Sequence, residues 1–353
     1  MNDPVSRADK NRFGSVILLF GLFFLICFGL GYATLKRYDP RLPGNNPDSA
    51  YYYEMVTGEA QQPVFLSSYA SVASRYGYRI LIPWVARPFY WLARGRIGTW
   101  DPVFFSLLVA NSLFVAATAS VLVRIGRRVT GDYSIALLAA MLYLLNFAIA
   151  NFQLAGFVDS GEAFFMMLVV WCLLANRWAL LPLCGVLGAL AKETFVPFSV
   201  VLGVVWWIAA RRRQESRVAN LGWVMAMGVA GVVSMTSVQS LVSGQMVWPW
   251  RPVVLSGSPS TLLINLVHCV ASHEVLYVFG WLLPLGAVRL GQLPRPWVLA
   301  SAVTAFVALV LGASVDAHGN VSRAMFDVAG PMLSLSVAML IGRTSESREN
   351  VAV

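Results

Sequence analysis

Apolar runs long enough to cross a bilayer recur along this chain, separated by short polar stretches, and that recurrence restricts the fold more than any other feature. The first, from Gly14 to about Ala33, would span a hydrocarbon core of roughly 30 Å as one helix. Composition agrees. Only 12% of the 353 residues are Asp, Glu, Lys or Arg and 58% are hydrophobic, whereas soluble domains carry roughly 25% charged residues. Too little polar side chain is left to cover a water-facing surface. A soluble enzyme, a disordered chain and a disulfide-stapled secreted domain are excluded. The expected fold is all-α, a polytopic integral membrane protein forming a single transmembrane domain over 1–353.

The net charge of +9 does not point to nucleic acid. Basic residues stand in short groups between apolar runs, as in Arg7, Lys10 and Arg12, then Arg124, Arg127 and Arg128, then Arg211, Arg212, Arg213 and Arg217. A nucleic-acid binder gathers them on one water-facing surface. Cys27, Cys172, Cys184 and Cys269 lie in apolar or mostly apolar sequence without CxxC spacing, which suits packing rather than disulfides or zinc.

After Gly14–Ala33, further spans are expected near 102–123, 133–151, 162–176, 178–191, 195–210, 219–242, 275–288, 297–314 and 325–342. About ten result, with both termini cytoplasmic and a short tail at 343–353. A basic leader makes a cleaved signal peptide the competing reading of the first run, but the apolar region is too long and lacks a small-x-small site. Cytoplasmic segments of this map hold 15 of the 26 Lys and Arg. Eight of the other 11 lie in one long outer segment, 36–100, so the short loops obey the positive-inside rule. In that segment Arg79, Arg87 and Arg94 interrupt apolar and aromatic residues, the pattern of interfacial helices. A spanning helix beginning there is the alternative. Most acids fall at the outer face, which points to an outward-facing polar site.

Four places there can carry chemistry. Asp48, in Asn45-Asn46-Pro47-Asp48-Ser49-Ala50-Tyr51-Tyr52-Tyr53-Glu54, is either an N-cap or a carboxylate able to take a proton at the membrane surface. Asp159 and Glu162, three residues apart, share a helix face or form a capping box. Lys192-Glu193-Thr194 interrupts apolar sequence on both sides, and such charges are costly unless paired or working. It is a polar turn or a phosphate-holding cation. Arg323, just before the last span and Pro331, suits phosphate or anchors the helix by snorkelling. His318 is a lone loop histidine, and neither His268 nor His273 has metal spacing with it. P-loop, dinucleotide, HExxH and GxSxG motifs are absent.

In this order the landmarks resemble the GT-C superfamily of polytopic glycosyltransferases, which use polyprenyl-phosphate sugars on the outer side of the membrane. Asp48 and Tyr52 match its first-loop acid and the Tyr about four residues on. Tyr78-Arg79-Ile80-Leu81-Ile82-Pro83, Gly188-Ala189-Leu190-Ala191-Lys192-Glu193-Thr194, and Arg323 with Pro331 are similar to later family segments. Ser49 stands where many members have a second acid, and a large soluble C-terminal domain does not follow the last span. The resemblance implies an inverting transfer to a lipid or glycan acceptor on the extracytoplasmic face of a bacterial inner membrane. Asp48 would be the base, with Lys192 and Arg323 on the departing phosphate. Tyr52, Arg79, Asp159 and Glu193 would contact substrate or orient the cations. Asp39 and Asp159 are alternative bases. No cofactor is implied, although Asp48 with Asp159 could hold a divalent ion. Partners are the lipid-linked donor, the acceptor and membrane lipids. A transporter or flippase of lipid-linked sugars is the main alternative, and it predicts broken helices and inverted repeats near mid-membrane.

Overall fold

The computed structural model describes residues 4–31, 47–58, 79–98, 100–154, 157–211, 218–248, 259–314 and 321–349, and among them the regular structure is entirely helical. In chain order the α-helices are α1 (Pro4–Gly31), α2 (Pro47–Thr57), α3 (Leu81–Ala93), α4 (Pro102–Thr130), α5 (Tyr133–Leu144), α6 (Asp159–Leu174), α7 (Leu181–Ala191), α8 (Phe195–Arg211), α9 (Val218–Ser243), α10 (Pro259–Val270), α11 (His273–Phe279), α12 (Leu282–Ala287), α13 (Arg295–Ser314) and α14 (Val321–Glu349).

The span map is met in part. Pro102–Thr130, Asn220–Val242, Arg295–Ser314 and Val321–Gly342 are long and apolar enough to cross a membrane. A fifth follows if Leu262–Val270 and His273–Phe279, bent by 48° at their junction, are one broken span. Shorter apolar helices occupy Val16–Gly31, Tyr133–Leu144, Trp178–Ala191 and Phe195–Arg211.

Two expected spans are corrected. The stretch 133–151 stops as an α-helix at Leu144 and resumes as a π-helical turn, Ile149–Gln153. Asn146 causes the break, because its Oδ1 accepts the Ala148 N–H at 2.9 Å and its Nδ2 donates to the Val278 carbonyl at 3.0 Å. A side-chain amide thus replaces the backbone partners that would continue the helix. The stretch 275–288 divides into α11 and α12, and the first of these pairs with α10, which the sequence map had left in an outer loop.

Elsewhere the helix ends follow local chemistry. Asp101 caps α4 by accepting the Val103 and Phe104 N–H groups, with Pro102 in the first turn. Gly131, at φ 77°, closes α4 in the left-handed conformation that suits glycine. Asp132 then caps α5. The outer segment contributes α2 and α3, tied together by Arg87, whose Nε and Nη2 donate to the Met55 carbonyl at 3.1 and 3.0 Å. At 13 residues, α3 is about 20 Å long, too short for the alternative of a span. It buries Ile82, Ala86 and Tyr90 and exposes Trp84, Trp91 and Leu92. A small core of Tyr52, Val56, Ile82, Tyr90, Val103 and Phe157 locks α2 and α3 onto the start of α4.

Helices α7 and α9 approach closely through small residues, the usual device where lipid supplies no hydrophobic drive between helices. A Cβ at Gly185 would lie 2.2 Å from the Met227 carbonyl oxygen, and one at Gly231 would lie 3.1 Å from the Gly185 carbonyl oxygen. Gly185→Ala should therefore destabilise the protein by about 1–3 kcal/mol, read as earlier thermal unfolding in detergent. Gly21→Ala, which meets no atom within 4 Å, is the control. Equal melting of the two variants would sink the close-approach argument.

Candidate functional site

A chain of polar contacts runs through one end of the bundle, built from segments far apart in sequence. Arg79 stands immediately before α3 and is buried. Its guanidinium grips Glu193 with two nitrogens, Nε donating at 2.6 Å. Its Nη1 donates to the Tyr52 hydroxyl of α2 at 2.8 Å. Glu193 lies between α7 and α8, so three elements meet on one guanidinium. Such a planar two-pronged pair fixes orientation as well as charge.

Lys192 ends α7 in an extended conformation, φ −163° and ψ 138°, which releases its side chain from the helix. Its Nζ reaches Asp159 Oδ1 at 2.6 Å and Glu162 Oε2 at 2.8 Å, both in the first turn of α6. Thr194 Oγ1 donates to Glu162 Oε1 at 2.6 Å. The other Asp159 oxygen faces Arg323 Nη1 of α14 at 3.8 Å. The Arg323 guanidinium also lies 4.6 Å from the ring centre of Phe152 and 5.0 Å from that of Phe157. One turn further along α14, Asp327 accepts from Gln153 Nε2 at 2.7 Å, and Gln153 in turn accepts from the Tyr143 hydroxyl at 3.1 Å. The π-turn after Asn146 is what brings Phe152 and Gln153 to this place.

The electrostatics follow from proximity. Burial by itself would lower the Lys192 pKa, but the carboxylates of Asp159 and Glu162 outweigh it and hold the ammonium above the ordinary lysine value. Burial would raise the Glu193 pKa, and the Arg79 guanidinium overrides it, keeping the carboxyl below the usual glutamate value. Oxygens of Asp159, Glu162 and Asp327 lie within 4.8 Å of one another. That is the donor type a hard divalent ion takes, although Lys192 already bridges two of the three. Asp327 Oδ2 has no hydrogen-bond partner among the described residues, while Glu162 Oε2 is held by the Lys192 ion pair.

A family profile described as predicted membrane protein (DUF2079) matches residues 88–350. The chain belongs to that family. No curated protein and no solved structure matches it. In this DUF2079 protein the matched region holds Asp159, Glu162, Lys192, Glu193, Arg323 and Asp327, while Asp48, Tyr52 and Arg79 precede it.

Of the residues expected from sequence, Tyr52, Arg79, Asp159, Lys192, Glu193 and Arg323 come together. Asp48 lies in the first turn of α2, four residues before Tyr52, with its side chain outside the described residues. Asp39 and His318 also fall outside them. Three local readings are corrected. Helix α2 begins at Pro47, so Asp48 is not its cap; a proline fits the first turn because no helical N–H partner is needed there. Asp159 does not cap α6, where Val158 occupies the capping position, because Lys192 and Arg323 take its oxygens. Arg323 does not snorkel, since its side chain is 16% exposed and held against two aromatic rings.

The sequence reading missed Gln153, Tyr143 and the role of Asp327. One signal for Asp327 was visible: it follows Arg323 by four residues, on the same helix face. Nothing local marks Gln153, whose position depends on the Asn146 break.

Proposed function

We propose that this DUF2079 protein is a membrane glycosyltransferase. It moves a sugar from a polyprenyl-phosphate donor to a lipid or glycan acceptor at the extracytoplasmic face, with both termini cytoplasmic. One observation carries the reading. Six residues chosen by family resemblance, from α2 to α14, join in a largely buried network of cations and carboxylates at one end of the bundle.

In this reading Asp48 takes the proton of the acceptor hydroxyl as its oxygen attacks the anomeric carbon. The bond from that carbon to the phosphate oxygen breaks, and its electron pair leaves with the lipid phosphate. The configuration at the carbon inverts. Lys192 and Arg323 face the charge that develops on the phosphate, and their fixed positions keep reorganisation small. Asp159 holds both cations in register before the donor arrives. Arg79 and Glu193 fasten α2, and with it Asp48, to the α7–α8 turn. A flippase would place its site on interrupted helices. One such interruption, after Asn146, brings Gln153 to the network, but Asp159, Lys192 and Arg323 stand at the ends of other helices.

The test is a mass-spectrometric profile of envelope glycans and glycolipids in a deletion strain, with and without the restored wild-type gene. One sugar should vanish on deletion, return with the wild type, and transfer in vitro from a synthetic polyprenyl-phosphate sugar to envelope lipid extract. An unchanged profile sinks the reading. Accumulation of an intact lipid-linked sugar on the cytoplasmic face assigns flipping instead.

A further inference from the structure

The two ends of α6 carry opposite chemistry. With 16 residues, the helix sets its ends about 24 Å apart. Asp159 joins the carboxylate–cation network at one end, and Arg177 follows the other. Around that second end lies a cavity of about 720 Å³, lined by Arg124, Arg127, Arg128 and Arg177 together with Trp171, Ala175 and Leu180. Pockets for small molecules commonly fall in this size range.

Two elements supply the arginines. Positions 124, 127 and 128 share one face of α4 near its C-terminus. Asn176, left-handed at φ 55°, turns the chain so that Arg177 reaches the same cavity from the end of α6. Among the described residues no acid lines the cavity and none of the four arginines has a carboxylate partner. A helix C-terminus attracts cations, which accounts for Arg127 and Arg128. It accounts neither for Arg177, contributed by another element, nor for the apolar part of the lining, where the Arg124 guanidinium sits 5.9 Å from the Trp171 ring centre.

We propose that this cavity binds the head group of an anionic phospholipid, at the membrane face opposite the carboxylate–cation network. Guanidinium groups pair with phosphate oxygens two bonds at a time, and basic pockets between spanning helices on the cytoplasmic side recognise such head groups. Trp171 and Leu180 pack against the glycerol and the first methylenes. Four arginines from two separate segments fit two phosphates joined by a short linker better than a single one. The cytoplasmic placement agrees with the basic segments of the sequence map, and the site is independent of the transfer reaction.

The full chain in detergent micelles is titrated with diphosphatidylglycerol, phosphatidylcholine or inorganic pyrophosphate. Thermal unfolding and native mass spectrometry provide the readouts. Diphosphatidylglycerol should raise the melting temperature and stay bound; the other two should do neither. Arg127→Gln combined with Arg177→Gln should weaken lipid binding at least tenfold while melting like wild type without lipid, because both side chains are exposed. Should the double variant unfold, Arg177→Gln alone should weaken binding about threefold. Arg211→Gln, outside the cavity, should bind as wild type. The proposal is overturned by equal shifts from phosphatidylcholine, by pyrophosphate matching the lipid, or by equal loss in Arg211→Gln.

Discussion

Replacing Lys192 with methionine should cost about 3–5 kcal/mol of stability, because it leaves buried carboxylates without their counter-ion. The ammonium bridges Asp159 and Glu162 at 2.6 and 2.8 Å, and Glu162 is fully buried. Arg323 stands 3.8 Å from Asp159 and lies further along the network than Glu162, so it compensates only one of the two acids. Little Lys192→Met protein should accumulate in membranes, and what does should melt early. Adding Glu162→Gln removes the orphaned charge and keeps an acceptor for Thr194, so the double variant should regain much of the lost stability. It should not regain sugar transfer, because no cation then stands where Lys192 would meet the departing phosphate. Melting curves in detergent and transfer from a lipid-phosphate sugar separate the two roles. Wild-type melting of Lys192→Met would refute the buried bridge. Full transfer by the double variant would remove Lys192 from the chemistry.

Asp48→Asn should reduce transfer by about 10²–10⁴-fold, the usual worth of a positioned general base. It should leave melting within about 0.5 kcal/mol of wild type, because asparagine has nearly the size and shape of aspartate. The dissociation of the two effects is the point, since Lys192→Met is expected to disturb both. Asparagine preserves shape and removes only the ability to take a proton. The variants Asp39→Asn and Asp159→Asn run beside it. If Asp48→Asn transfers at the wild-type rate and Asp39→Asn does not, the base is Asp39. Loss in Asp159→Asn accompanied by early melting speaks for its role in holding Lys192 and Arg323 instead.

Much of the architecture was legible because solvent acts on every residue alike. A chain this apolar must fold in lipid, and charge is expensive there. The few ionisable residues inside apolar runs were therefore conspicuous, and Asp159, Lys192, Glu193 and Arg323 could be picked out one by one. Helix positions were legible from run length, to within a few residues for α6, α8 and α13. Breaks were not. The stop after Leu144 depends on an Asn146 bond to Val278, 132 positions away. The division between α11 and α12 likewise separates residues that share one apolar run.

Partner choice lay beyond local pattern altogether. Arg79 grips Glu193 across 114 positions, and Gln153 reaches Asp327 across 174. Helices that are apolar around most of their circumference do not show in sequence which face meets protein and which meets lipid. By itself the sequence determined the solvent, the approximate helices and the small set of charges that had to be satisfied. The tertiary structure alone decided which charge satisfies which, because pairing depends on distances between faces that helical periodicity does not distinguish.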